Sequence, residues 1–132
     1  MALEIVLALL AFGQAPPAER WVAFFRFGEG AISAYRHDSV EWDGDQVRAL
    51  VLWDRSRESQ APFREAFMRF EFSCETRAGR ILSFISYRAD GSVESSRDQP
   101  RELPSMDDSP VSRALADALC AEGDRDFPDP PR

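Results

Sequence analysis

From Trp21 onward, apolar and polar positions alternate in short runs divided by glycine, proline and Asp-Gly signals, the pattern of antiparallel strands. Trp21 to Phe27 and Ala31 to Arg36 are aromatic-rich and split by Gly28-Glu29-Gly30, which suits a tight connection between paired strands. Ser39 to Trp42 is a third run, ending at Asp43-Gly44, a dipeptide that reaches positive φ at low cost. The return run, Gln46 to Asp54, places Val47, Ala49, Val51 and Trp53 on one side and Arg48, Leu50 and Leu52 on the other. Both sides are fairly apolar, so it reads as a central strand. Arg55 to Phe63 is polar, contains Pro62 and reads as a mobile loop.

The next segment, Ala66 to Thr76, has a clean period of two: Met68, Phe70, Phe72 and Cys74 face a core while Arg69, Glu71 and Ser73 face away. Ala78-Gly79 is expected to turn the chain, and Arg80 to Arg88 to return with Ile81, Ile85 and Tyr87 on one side and Leu82 and Phe84 on the other. Asp90-Gly91 then leads into a polar strand, Ser92 to Arg97, expected at a sheet edge. Pro100, Pro104 and Pro110 argue against regular pairing between Gln99 and Pro110, so that stretch is expected to run extended over the surface. Ser109 can cap a helix whose first residue is Pro110, where a missing N–H costs nothing. Val111, Leu115, Ala118 and Leu119 form its apolar stripe, Cys120 falls in its last turn and Gly123 can end it. The fold class is therefore α+β: a mostly antiparallel sheet of about six strands packed against a C-terminal helix.

The N-terminus reads as an address, with an apolar strand or helix of the domain itself as the alternative. Leu3 to Phe12 is an apolar run, too short to span a bilayer, which takes about 20 apolar residues, and small residues follow it. Residues 1–18 read as a signal peptide cut after Ala18, 19–123 as one domain, and 124–132 as a disordered tail. Soluble export is expected, to the periplasm or the extracellular space, because the cysteine that lipidation requires just after the cut is missing. No transmembrane helix is expected in the mature form.

Composition narrows the chemistry. The chain has 132 residues and a formal charge of −7, and all 16 of its basic side chains are arginine. An acidic chain whose arginines are interleaved with carboxylates lacks the basic stripe that nucleic acid requires. Without lysine, Schiff-base catalysis and a phosphate-loop lysine are excluded. His37-Asp38 is the one pairing with acid–base potential, and no nucleophile accompanies it in sequence. Glu41, Asp43 and Asp45 lack the spacing of a calcium loop, so neither a metal nor a cofactor is expected. Trp21, Trp42 and Trp53 are the residues from which a binding surface or an aromatic groove is expected.

Two cysteines in an exported domain are expected to pair, so Cys74 and Cys120 should form a disulfide. With that in place the chain resembles the surface-adhesin protein E-like family of bacterial exported proteins. The resemblance runs through Ala18-Glu19-Arg20-Trp21-Val22, Tyr35-Arg36-His37-Asp38-Ser39-Val40, Val47 to Asp54, and Glu71-Phe72-Ser73-Cys74 with Arg77 and Arg80. It continues through Tyr87, Gly91, the proline-bearing segment and Val111 to Cys120. It implies an antiparallel sheet tied to a C-terminal helix by this disulfide. The leading functional expectation is a non-enzymatic, adhesin-like binding module whose exposed strand edge or sheet face engages a protein of host matrix or of the bacterial envelope. A structural envelope accessory protein, and a small-molecule carrier using the aromatic groove, are the alternatives. An edge strand also offers a route to a homodimer.

Overall fold

The computed structural model describes residues 20–28, 30–58 and 61–123. The expected signal peptide, 1–18, and tail, 124–132, lie outside the described residues. One antiparallel sheet runs through β1 (Trp21–Arg26), β2 (Ile32–Arg36), β4 (Gln46–Asp54), β5 (Glu65–Ser73), β6 (Gly79–Tyr87) and β7 (Val93–Arg97), in that spatial order. Two further strands, β3 (Glu41–Asp43) and β8 (Arg101–Leu103), pair with β4 and β6, so the sheet has eight strands where about six were expected. A helix, α1 (Pro110–Gly123), closes the domain.

The helix and the core follow from the alternation of the central strands. Val47, Ala49 and Val51 of β4 stand opposite Phe72, Phe70 and Met68 of β5, and these side chains together form one apolar face. Over that face lies α1, whose Leu115, Ala116 and Leu119 are buried with Tyr35, Phe70 and Phe72. The buried stripe of the helix includes Ser112 and Ala116, set between the Val111 and Ala118 of the sequence expectation, which are only partly covered. Ser112 is accommodated because its hydroxyl donates to the Met106 carbonyl at 2.6 Å. Ser109 caps the helix as expected, its Oγ accepting the Ser112 N–H at 3.1 Å.

Five local expectations are corrected. Ala78-Gly79 is not the turn between β5 and β6: the chain reverses over Cys74 to Arg77, with Arg77 at φ 68°, and Gly79 already belongs to β6. Cys74 therefore lies one residue past the strand, its N–H donating to the Asp45 carbonyl at 2.9 Å, and not within it. Ile81 is on the helix-covered face while Ile85 and Tyr87 are on the other, because a bulge opposite Arg69 and Phe70 shifts the phase of β6 between Ile81 and Ser83. The start of the third run is a 3-10 turn at His37–Ser39, with the strand beginning only at Glu41. Finally, the proline segment is neither unpaired nor wholly superficial. Pro100 and Pro104 flank β8 without interrupting it, so Arg101 to Leu103 pair with β6, and Met106 just beyond is fully buried.

Cys74 and Cys120 form a disulfide, with Cα atoms 5.6 Å apart and a sequence separation of 46. It joins the start of the β5–β6 turn to the last turn of α1. Beside it the Arg77 guanidinium donates to Asp107 at 2.6 Å and to Asp117 on α1 at 2.8 Å. Bond and ion pairs thus clamp the same end of the helix to the sheet.

Candidate binding face

The helix covers one face of the sheet, and no described element packs over the other. Strand register fixes what that open face carries, because residues directly opposite share a side. Near the disulfide end a charged row runs across β3, β4, β5, β6 and β8 as Glu41, Arg48, Glu71, Arg80 and Glu102. Arg48 donates to Glu71 at 2.7 Å and Arg80 donates to its other oxygen at 3.0 Å. The hydrogen bond from Arg48, with that from Arg80 and the charge of both, holds the Glu71 carboxyl below its ordinary value despite partial burial.

Toward the other end of the sheet the face turns apolar. Leu50 stands opposite Arg69, and the following row aligns Ala34, Leu52, Phe67 and Ile85. Three rings cross this belt: Trp21 lies 6.3 Å from Phe67, and Phe67 meets Tyr87 edge-on at 6.3 Å. Tyr87 in turn stands opposite Val93 of β7, whose side chain is 48% exposed. An aromatic row therefore spans the sheet from one edge strand, β1, toward the other.

The structure does not bring the three tryptophans into one surface. Trp21 is on the open face. Trp42 stands opposite Val47 and packs against the core beneath the helix side. Trp53 is on the helix-covered face, in line with Val51 and Ala49, inside a separate aromatic group at the end of the sheet. There Phe27 stacks on Trp53 at 5.3 Å, Phe63 meets it edge-on at 5.3 Å, and Phe25 lies against Phe27 at 4.9 Å. The Arg55 guanidinium sits over both Trp53 and Phe63, at 5.2 and 4.7 Å, and is tied to Glu58 at 2.8 Å. Buried Phe63 anchors the expected polar loop to this group. The buried Trp53 Nε1 has no hydrogen-bond partner among the described residues.

The remaining sequence candidates are placed as follows. His37 and Asp38 are exposed, and Asp38 is held below the usual carboxylate range chiefly by the Arg36 side chain, which donates to it at 2.9 Å. Asp45 accepts the Ser73 hydroxyl at 2.5 Å. Among the described residues no three metal-ligating side chains gather, and no helix is long and apolar enough to cross a membrane. Sequence reasoning missed Phe67 and Arg77. Phe67 was legible in principle, since it shares the odd-numbered side of β5 with Arg69, and an aromatic on a side otherwise facing solvent is the signal. The role of Arg77 was not, because its partners Asp107 and Asp117 are distant in sequence.

Fold and face together define a class: an α+β module of one antiparallel sheet, with a disulfide-pinned helix on one side and an aromatic row on the other. The chain belongs to the surface-adhesin protein E family, whose model matches residues 21–121. The matched region takes in the whole sheet and both cysteines. No curated protein and no solved structure matches the chain. A surface-adhesin family and a disulfide both fit an exported protein.

Proposed function

We propose that the protein is an exported, non-enzymatic binding module that engages another protein, of host matrix or of the bacterial envelope, through the open face of its sheet. The observation that carries this reading is the aromatic row Trp21–Phe67–Tyr87 on the one sheet face that no described element covers. The three rings are part-exposed, with the exposed Val93 beside Tyr87, and aromatic side chains supply large contact area with few rotatable bonds. Family membership supports an adhesive role. The apolar N-terminal segment, 1–18, supports export by signal-peptide cleavage, and N-terminal sequencing of secreted protein checks it: an intact Met1 overturns it.

The binding test compares the mature protein with a Trp21→Ala variant, each immobilised and exposed separately to matrix proteins and to an envelope extract. Wild type should retain a protein from one source and the variant should lose most of it while keeping its unfolding midpoint. Equal retention by both forms, or retention of nothing, overturns the assignment to this face. Retention from the envelope extract alone gives the accessory-protein version of the role.

A further inference from the structure

At the end of the sheet where the aromatic row arrives, Arg64, Glu65, Tyr87, Arg88, Ala89 and Gly91 line a shallow groove of about 430 Å³. Its two walls are held together by backbone, since the Arg64 N–H donates to the Tyr87 carbonyl at 2.7 Å. The Asp90-Gly91 turn fixes the far rim: Gly91, at φ 90°, donates to the Arg88 carbonyl at 2.9 Å. Arg64 and Arg88 therefore stand on a rigid frame.

What sets Arg64 and Arg88 apart is that both line one groove beside Tyr87 without a carboxylate in ion-pair distance there; Arg20, Arg26, Arg57, Arg69, Arg97 and Arg101 are in no ion pair among the described residues either. In a chain with 23 acidic and 16 basic side chains, Arg36, Arg48, Arg55, Arg77, Arg80 and Arg113 each lie within ion-pair distance of an acid. Arg64 has no ion pair among the described residues, and Arg88 donates there only to neutral groups, the Ser92 hydroxyl at 3.2 Å and the Val93 carbonyl at 2.7 Å. Neither is in ion-pair contact with a nearby acid among the described residues, although the charge of Arg88 helps, after the Ser92 hydrogen bonds, to hold the Asp90 carboxyl below its ordinary value. Asp90 accepts instead from the Ser92 N–H and hydroxyl, at 2.9 and 2.7 Å, and Glu65 is in no ion pair among the described residues. Two guanidiniums beside a tyrosine, neither in an ion pair among the described residues, suit a carboxylate, which a guanidinium can grip through two parallel N–H groups.

We propose that this groove binds an acidic side chain of the protein partner, fixing the register of an extended segment whose apolar residues lie along Tyr87 and Phe67. This rests on the binding role assigned to the open face and adds to it the sign of the partner's charge. The partner segment alternates carboxylates with aromatic or aliphatic residues.

The test uses the mature chain and fluorescence anisotropy with three labelled octapeptides, alternating Glu/Phe, Glu/Ser and Lys/Phe, and a heparin-derived octasaccharide as a non-peptide anion. The Glu/Phe peptide should bind best. Replacing both groove arginines, Arg64→Gln with Arg88→Gln, should weaken it roughly tenfold, the loss expected of two ion pairs. A charge-matched control away from the groove, Arg57→Gln with Arg97→Gln, should change it less than about twofold. Equal loss in the control, equal binding of the Lys/Phe peptide, preference for the octasaccharide, or no binding of the Glu/Phe peptide overturns the inference. If the groove variant still captures the same matrix or envelope protein as wild type, the groove is not the contact and the role of the open face stands.

Discussion

Removing the disulfide should cost the domain a large part of its stability without releasing the helix. Cys74→Ser with Cys120→Ser opens a loop of 46 positions, for which the chain-entropy relation gives about 4 kcal/mol. At the roughly 4 °C per kcal/mol expected of a domain near 100 residues, the unfolding midpoint should fall by roughly 15 °C. Two features should keep α1 docked below that midpoint. Leu115, Ala116 and Leu119 remain buried against Tyr35, Phe70 and Phe72, and Arg77 remains bridged to Asp107 and Asp117. The ion pairs are solvent-exposed and screened, so burial of the apolar side chains holds the helix more strongly than they do. Circular dichroism during heating of the oxidised wild type, the wild type with reductant, and the double variant is the assay. One cooperative transition is expected in each case, with the last two coinciding. A loss under about 1 kcal/mol would refute the entropic reasoning. A separate early loss of helical signal would show that the bond alone holds the helix.

Three other substitutions probe the sheet and its seam. Gly79→Ala would place a methyl group 2.6 Å from the Phe72 Cβ and 2.7 Å from the Glu71 carbonyl, so β6 must move, and urea denaturation should report a loss of about 1–3 kcal/mol. Ser112→Ala leaves the Met106 carbonyl without the hydroxyl that donates to it and should cost about 1–2 kcal/mol by the same measurement; no change would mean that carbonyl is otherwise satisfied. Glu71 titrates below its ordinary 4.5 when folded because Arg48 and Arg80 favour the charged form, so its stabilising contribution is complete above pH 4.5 and is lost as pH falls through the depressed folded value. Glu71→Gln should therefore be less stable than wild type at neutral pH and show a flatter fall in denaturation midpoint below pH 4.5; parallel curves would remove the contacts of Glu71 with Arg48 and Arg80 from the acid response.

How far the sequence carries depends on the range of the forces involved. The alternation of Val47, Ala49 and Val51 and of Met68, Phe70 and Phe72 determined two central strands and, for the second, the side that is buried, because a strand's period of two is a property of the backbone. Ser109-Pro110 likewise marked the helix start, and Gly44 and Gly91 take the positive φ that their Asp-Gly turns imply. Two cysteines in a chain with an export-like N-terminus were enough to name the bond. The bulge in β6 was not legible, since a one-residue shift leaves local composition unchanged yet moves Ile81 to the opposite face from Ile85. Nor was β8, where the prolines at both ends masked three residues that still had free backbone donors. The same limit applies to the candidate surface. Sequence could identify aromatic residues on strands, but placing Trp21 with Phe67 and Tyr87, and Trp53 with Phe27 and Phe63, required the register of strands far apart in the chain. Local pattern decided the main strands, the helix and the two Asp-Gly turns; only tertiary pairing decided β8, the bulge and which aromatics share a face, because adjacency across a sheet is set by hydrogen-bond register and not by distance along the chain.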